Sequence, residues 1–230
     1  MKNISDNSVD AIITDPPYGT TACKWDSVID FDLMWEQLNR IIKPNGAIIL
    51  FGSEPFSSAL RMSNIKNYKY DWIWHKNMGG NFMAAKKQPM KQHENISVFY
   101  RNTATYNFIK EKRLQSGLDR VRSSSVKGGG SKEESVYGKR KRVERKYDDL
   151  RYPQTVQKFK VQRGLHPTQK PVALMEYLIK TYTNENETVL DFTMGSGSTG
   201  VAAKNLNRSF IGIELDDKYF EIAENRITND

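Results

Sequence analysis

The stretch from Thr14 to Gly19, Thr-Asp-Pro-Pro-Tyr-Gly, constrains the fold of this chain more than any other part of its sequence. It follows Val9–Ile13, a mostly apolar run that is short and rich in β-branched residues, as buried strands are. Two prolines then end the strand, because neither can donate a ladder hydrogen bond. In open α/β sheets, ligands bind beyond the carboxyl ends of the strands. The stretch therefore predicts a binding site, although an ordinary strand-ending turn fits the same dipeptides.

The side chains of this stretch suit an amino group on a nucleobase. Such a group has two protons, and the Asp15 carboxylate and the Pro16 carbonyl are two acceptors for them. Tyr18 offers a stacking surface for the ring, worth ~1–3 kcal/mol per base in single-strand binders. Asp15, Pro16, Pro17 and Tyr18 are therefore the candidate catalytic residues.

Outside this stretch, helix and strand patterns alternate along the chain. Phe31–Ile42 carries apolar residues at the spacing of one buried helix face, and Ala47–Phe51 is typical of a buried strand. Further strands are predicted at Tyr68–His75, Ile96–Tyr100, Thr188–Phe192 and Phe210–Glu214, and further helices at Pro55–Met62, Val172–Tyr182, Ser198–Leu206 and Asp217–Ile227. Ser53 is the candidate N-cap of the second helix. The alternation predicts an α/β fold with a doubly wound, Rossmann-like sheet.

Residues 102–164 break this alternation and are interpreted as an insertion outside the sheet. Ser123–Ser125 and Gly128–Ser131 cannot build a core. The formal net charge of the chain is +8, yet residues 110–163 alone carry 17 Lys/Arg and 7 Asp/Glu. The rest of the chain is slightly acidic, so one segment carries the whole positive excess. This asymmetry predicts a polyanionic partner, with Lys139, Arg140, Lys141 and Arg142 as candidate DNA-binding residues, or else a solvated linker.

A second motif lies between the strand ending at Phe192 and the next predicted helix. Gly195, Gly197 and Gly200 form a G-x-G-x-x-G pattern, in which glycine lets the backbone turn tightly beside a ligand. Glu214 ends the following strand and is placed to accept hydrogen bonds from ribose hydroxyls. The pattern predicts a nucleoside-containing cofactor and by itself does not choose among NAD, FAD and S-adenosylmethionine.

Taken together, these motifs resemble those of the DNA amino-methyltransferases. Asp-Pro-Pro-Tyr at Asp15–Tyr18 is similar to their catalytic motif, and Asp191-Phe192 with the following Gly-Ser-Gly-Ser-Thr is similar to their cofactor loop. The string His166–Pro171 resembles the segment that accompanies the amino-acid end of the cofactor. The order of these parts along the chain is that of the permuted β class, in which the catalytic motif comes first, the basic insertion second and the cofactor loop last. The insertion is matched only by its position.

The resemblance implies a division of the chain and a set of cofactor-binding residues. Residues 1–101 would form the catalytic half, 102–164 the target-recognition region and 165–230 the half that binds S-adenosylmethionine. The implied cofactor-binding residues are Thr168, Lys170, Asp191, Phe192, Gly195, Ser196, Gly197, Ser198, Thr199 and Glu214. Among these, Lys170 would be the cation for the cofactor carboxylate.

The implied activity is methylation of adenine N6 in a flipped-out base of double-stranded DNA. Asp at position 15 favours adenine N6 over cytosine N4 without excluding cytosine. Methylation of RNA or of a protein amide, and a non-catalytic DNA-binding subunit, are the alternatives. Lys76, Lys86 and Lys87 are interpreted as solvated or phosphate-contacting, and Trp72 and Trp74 as core residues.

Composition excludes several other classes of protein. One cysteine, Cys23, precludes an internal disulfide and suggests a reducing compartment, and three scattered histidines do not supply a zinc cluster. No run of eighteen apolar residues is present, mean hydropathy is −0.67, and the first residues lack the apolar core of a signal peptide. We expect a soluble cytoplasmic protein, prokaryotic or phage-encoded, without metal or membrane partner.

The short N-terminus leads to a prediction about the sheet. Members of the family usually begin with a strand upstream of Ser8-Val9-Asp10, and only seven residues precede Ser8 here. We therefore expect six strands, with Phe210–Glu214 left at an edge or covered by another chain. A homodimer, as in some relatives, fits that expectation.

Overall fold

The computed structural model describes residues 1–20, 26–119 and 149–229. It contains two compact units, one formed by Met1–Asn107 with Thr155–Asp230 and the other by Phe108–Gln154. The strands are β1 Val9–Thr14, β2 Ile42–Gly52, β3 Tyr68–Gly80, β4 Lys91–Phe99, β5 Glu111–Lys112, β6 Leu150–Arg151, β7 Val156–Phe159, β8 Thr188–Asp191 and β9 Ser209–Gly212. The helices are α1 Phe31–Ile41, α2 Phe56–Ser63, α3 Val172–Tyr182, α4 Ser198–Asn205 and α5 Asp217–Asn229.

The larger unit is built on a mostly parallel sheet with the strand order β7-β3-β4-β2-β1-β8-β9. Strand β4 runs antiparallel to both of its neighbours, and the other pairs are parallel. Parallel neighbours need crossover connections, which the helices supply. This arrangement confirms the expected α/β class.

Helices cover both faces of the sheet, as a doubly wound fold requires. One core packs the apolar side of α3, including Leu174 and Leu178, against Ile13 and other strand residues. The opposite core packs α1, including Trp35 and Leu38, against Ile12. Ile12 and Ile13 belong to different cores because successive side chains of a strand point to opposite faces.

The prediction of six strands is wrong, because seven strands form the sheet of the larger unit among the described residues. The additional strand is β7, which pairs in parallel with β3 from Ile73 to Lys76. It lies in the segment that was interpreted as outside the sheet, and it satisfies backbone groups along an otherwise open edge of β3. The strand predicted at Phe210–Glu214 corresponds to β9, which lies at the edge of the sheet opposite to β7. Within the described part of the chain, β9 pairs with β8 alone.

Two local expectations also need correction. Ser53 does not cap α2 with its side chain; Pro55 occupies the N-cap position, and the Glu54 carboxylate accepts from Ser58 N at 3.1 Å instead. Strands β3 and β4 are longer than predicted, because their pairing resumes at Gly80–Lys91 after a register shift beyond His75–His93, through mostly exposed residues. Hydrophobic patterns do not mark such a polar extension.

The smaller unit contains a two-stranded antiparallel ladder of β5 and β6. Arg151 forms an ion pair with Glu111 at 3.1 Å, and the rings of Phe108 and Tyr152 lie 5.1 Å apart. In the ranges that the structure describes, no helix is long and apolar enough to cross a membrane. The same ranges contain no group of three or more His, Cys, Asp or Glu side chains suited to a metal ion.

Candidate active site

A buried carboxylate joins the ends of the two central strands. Asp191, the last residue of β8, accepts from the Thr14 hydroxyl at 2.6 Å, from the Thr199 hydroxyl at 2.5 Å and from Thr193 N at 3.1 Å. Asp191 is only 4% exposed. Burial raises the pKa of Asp191 to about 6, although these hydrogen bonds oppose the rise. Asp191 therefore ties the catalytic strand β1 to the loop and helix that follow β8.

The glycine loop after β8 needs conformations that other residues rarely adopt. Gly195 and Gly197 have φ values of 51° and 77°, in the left-handed region. A Cβ on Gly197 would lie 3.1 Å from the backbone Cα of Ala223 in α5. The loop therefore turns tightly and packs directly against a helix.

Glu214 holds this loop from the end of the neighbouring strand. Its Oε2 accepts from Gly195 N at 2.8 Å, and its Oε1 accepts from Leu215 N and Asp216 N at 2.9 and 3.0 Å. A carboxylate has about four acceptor positions, so capacity remains for a ligand hydroxyl. On the other side of the loop, Arg226 donates to Ser196 O at 3.0 Å.

Asp15 lies just beyond β1 and is held by two donors. The Tyr18 hydroxyl donates to Oδ1, and the Lys170 ammonium donates to Oδ2. Burial and the adjacent Asp15 raise the pKa of Tyr18, which keeps the hydroxyl protonated as a donor. Burial also raises the pKa of Asp15 against the opposing effect of Lys170.

Lys170 is the centre of a buried chain of charges. Besides Asp15, it lies 3.4 Å from Glu94 Oε2, and Glu94 in turn forms an ion pair with Lys76. Burial disfavours the charged form of Lys170, but the two carboxylates outweigh burial and raise the pKa of the ammonium. Burial alone would raise the pKa of Glu94, but Lys170 and Lys76 hold it below its ordinary value. The charges alternate in sign, so each stabilises its neighbours.

Asp26 also holds the backbone directly after Pro17, at Tyr18, Gly19 and Thr20. Asp26 accepts from the backbone N–H groups of Tyr18, Gly19 and Thr20 at 2.8 to 2.9 Å. The Tyr18 ring packs against Phe56 of α2, with centroids 5.0 Å apart. The aromatic surface beside Asp15 is therefore supported from behind.

Many of these groups line one cavity of about 570 Å³, within the usual range of small-molecule sites, roughly 300–1,000 Å³. The predicted site residues that line it are Asp15, Pro16, Pro17, Tyr18, Thr168, Lys170, Asp191, Phe192, Gly195, Ser196, Ser198, Thr199 and Glu214. Gly197 lies behind them against α5. The structure thus brings together motifs that are almost 180 residues apart in sequence.

Some residues have other contacts than the sequence suggested. Lys170 faces Asp15 and Glu94, and Lys76 pairs with Glu94 rather than standing free for phosphate. Both of the predicted core residues Trp72 and Trp74 are buried. The cluster Lys139–Arg142 and Cys23 lie outside the described residues.

Sequence reasoning missed Glu94, Asp26 and Thr193. Glu94 reaches Lys170 only because of the pairing of β4 with β2 and β3, which no local pattern encodes. Thr193 could have been found, since it directly follows the Asp191-Phe192 pair and its hydroxyl donates to Asp15 O at 3.0 Å. Likewise, the hydroxyl of Thr168 lies 3.1 Å from His166 Nδ1, within the predicted motif.

Comparison with known proteins places this site in a family. The family model of the N6/N4 DNA methylases matches residues 9–225. The type II methyltransferase M.HpaI of Haemophilus parainfluenzae is 30% identical over 251 residues, covering 100% of this chain and 71% of the relative. The DNA adenine methyltransferase YhdJ of Escherichia coli K12 is 28% identical over 246 residues, covering 99% and 79%.

Solved structures show the same fold. The M1.HpyAVI complex with SAM is 31% identical, with a TM-score of 0.63 over 98% of this chain and 90% of that chain. The cytosine-N4-specific PvuII DNA methyltransferase has a TM-score of 0.63 at 14% identity, covering 100% and 89%, and its likeness concerns the fold alone. The chain therefore belongs to the N6/N4 DNA methylase family and is a DNA methyltransferase that uses S-adenosylmethionine.

Proposed function

We propose that this protein methylates N6 of adenine in a specific DNA sequence, acting on a base turned out of the duplex. The observation that supports this proposal is the position of Asp15 at the end of β1, facing the same cavity as the glycine loop after β8. The amino group of adenine is inaccessible to a methyl donor inside the base stack, so the base must leave it.

Asp15 and Pro16 would receive the amino group. Both N6 protons need acceptors, and the Asp15 carboxylate and Pro16 carbonyl supply them. Adenine's amino lone pair is delocalised into the ring, and hydrogen bonds of this geometry favour the pyramidal, nucleophilic form. Tyr18, backed by Phe56, would stack against the base.

Lys170 and Glu94 act on Asp15 rather than on the base. The Lys170 ammonium holds one carboxylate oxygen, and Glu94 prevents Lys170 from neutralising Asp15 completely by sharing its charge. Positioning of the two reactants is the main contribution that such a site makes to the rate.

The residues around the glycine loop suit S-adenosylmethionine. Glu214 retains acceptor capacity for a ribose hydroxyl, and the left-handed glycines leave room for close approach of a ligand. When bound, this cofactor supplies the electrophilic methyl group. The chain's own residues then hold the amino nitrogen in place and exclude water.

Adenine is favoured over cytosine by the aspartate of the Asp15–Tyr18 motif and by the relative YhdJ, whose name specifies adenine. Cytosine N4 is the second candidate, because it presents the same kind of amino group and the family includes enzymes of both kinds.

The test uses Asp15→Ala with Asp32→Ala, an exposed residue of α1, as the control. Asp15→Ala should lower methyl transfer roughly 100-fold or more, since positioning of the amino group is lost. Binding of S-adenosylmethionine, measured by calorimetry, should be largely unchanged because Glu214 and the glycine loop are intact. Asp32→Ala should behave as the unaltered protein in both assays.

The methylated base is identified by digestion of the DNA to nucleosides and mass spectrometry. N6-methyladenine is the expected product, and modification-sensitive sequencing then gives the recognition sequence. Recovery of N4-methylcytosine alone would refute the base assignment while leaving the role of Asp15 intact.

A further inference from the structure

The hairpin of β3 and β4 extends well beyond the end of the sheet where Asp15 lies. Glu94, which contacts Lys170, pairs with Trp74, and beyond a register shift after His75 the pairing resumes with Gly80 opposite Lys91. Three residues of strand from Glu94 to Lys91 span about 10 Å. The residues between Gly80 and Lys91 form the tip of this hairpin, and they project past the level of the active site.

The tip carries apolar side chains in water. Phe82 and Met83 are 77% and 96% exposed, and Met78 and Met90 at its base are also exposed. Hydrogen bonds hold the tip in shape, including Ala84 N to Asn81 O at 3.1 Å and Lys87 N to Ala84 O at 2.8 Å. Large apolar groups presented so far into solvent on an ordered turn indicate a partner.

The charges at the tip select the kind of partner. Residues 77–93 include Lys86, Lys87 and Lys91 and contain no aspartate or glutamate. Lys86 and Lys87 are exposed beside Phe82 and Met83. A surface that combines cations with apolar wedges fits a nucleic acid duplex, where phosphates pair with the cations and apolar side chains enter between bases.

The tip is also placed at a suitable distance from the active site. Strands β1 and β4 are separated only by β2, so two strand spacings, about 10 Å, separate Asp15 from the hairpin. Asp15 and the hairpin lie at the same end of the sheet, since β4 begins where β1 and β2 end. A duplex that delivers a base to Asp15 would therefore meet this hairpin.

We propose that the tip of the β3–β4 hairpin enters the DNA at the target base pair, with Phe82 and Met83 filling the space that the turned-out base leaves. Lys86 and Lys87 hold the flanking phosphates. This inference rests on the proposed function, and it assigns to the hairpin a task separate from the basic insertion. Filling the space lowers the free energy of the open state and so favours base opening.

The test compares the double variant Phe82→Ala/Met83→Ala with the unaltered protein on two duplexes. Both duplexes carry the recognition sequence found by sequencing, one fully paired and the other with an abasic site opposite the target base. The variant should methylate the paired duplex roughly tenfold more slowly in single turnover, because opening a paired base is costly. On the abasic duplex, where no pairing opposes opening, its rate should return close to that of the unaltered protein.

Two further variants serve as controls. Met62→Ala removes another exposed methionine, 69% exposed at the C-terminal end of α2 and away from the end of the sheet where Asp15 lies, and should leave both rates unchanged. Phe82→Trp retains a large wedge and should retain activity on the paired duplex. It also shows whether the tip tolerates substitution without loss of the fold.

Several outcomes would overturn the inference. Equal rates of the double variant and the unaltered protein on paired DNA would show that the tip does not assist opening. Equal loss on both duplexes would assign the tip to structure or to general binding, and a change of molecular mass in solution would assign it to contact between copies of the chain. If the unaltered protein methylates neither duplex, the proposed function fails instead.

Discussion

Asp15 and Asp191 both follow parallel strands, yet their surroundings give them different tasks. Asp191 accepts hydrogen bonds from three internal donors and is almost fully buried. Asp15 faces the cavity and is held by Tyr18 and Lys170. At the residue scale, we therefore assign Asp191 to structure at the junction and Asp15 to the substrate amino group.

Asp191→Asn tests the structural assignment through pH. The pKa of Asp191 is raised from 3.8 to about 6 in the folded protein, so the folded state binds more protons than the unfolded state between these values. Its contribution to stability is therefore fully present below pH 3.8 and is lost as pH rises through 6. Asparagine cannot ionise, so the variant should escape this loss, which is on the order of 2–3 kcal/mol at pH 7.5.

The measurement is urea unfolding at pH 4.5 and pH 7.5. As pH rises from 4.5 to 7.5, the free energy of unfolding should fall less in Asp191→Asn than in the unaltered protein. Asp32→Asn, on the surface of α1, controls for a change of net charge. Identical pH profiles for Asp191→Asn and the unaltered protein would contradict the raised pKa.

At the scale of elements, the glycine loop after β8 approaches α5 closely. Gly197 has a left-handed backbone, and a Cβ there would meet Ala223 Cβ at 3.0 Å and its Cα at 3.1 Å. Backbone atoms cannot yield as a flexible side chain can. The loop therefore packs against the backbone of α5 with no room for a side chain at position 197.

Gly197→Ala should both destabilise the protein and weaken binding of S-adenosylmethionine. A left-handed alanine costs about 1–2 kcal/mol, and the contact with α5 adds to that cost. Thermal unfolding and calorimetry measure the two effects. Gly117→Ala is the matched control, because its Cβ would meet only Arg113 Cβ at an ordinary 3.7 Å. Unchanged cofactor affinity in Gly197→Ala would show that the loop tolerates displacement.

At the scale of the whole molecule, charge is separated along the chain. The segment 110–163 carries the entire positive excess, while the rest, which forms most of the sheet and the site, is slightly acidic. We expect such a division to provide general attraction for DNA while the rest of the chain, which includes Asp15 and Glu214, carries none of the positive excess. The target-recognition role of 102–164 remains a prediction.

Neutralising Lys139–Arg142 with glutamine tests this division. Phosphate contacts carry no sequence information, so affinity for all duplexes should fall to a similar extent. The slope of log K against log salt should flatten by roughly 0.9 for each lost contact, and methylation should stay on the same sequence. Lys66 and Lys69 are exposed at the end of the sheet away from Asp15. The control variant Lys66→Gln/Lys69→Gln should change neither the affinity nor the salt slope. A new methylated sequence would mean that the cluster reads bases.

Local sequence by itself determined the class of fold and the identity of the site motifs. Val9–Thr14 ends at two prolines, and α3 begins and ends where its apolar spacing predicts. These features depend on near neighbours, since periodicity and proline geometry act over a few residues. The same holds for Gly195 and Gly197, whose left-handed backbone explains why glycine stands there.

Only the tertiary structure decided which of these residues meet. The partners of Lys170, the role of Glu94, the seventh strand β7 and the reach of the β3–β4 hairpin all depend on strand pairing. A local pattern indicates that a residue is buried or exposed, whereas register sets which distant side chain lies opposite. Lys170 and Asp15 are far apart in sequence and adjacent in space because folding buries the Lys170 ammonium, and a buried charge requires a partner.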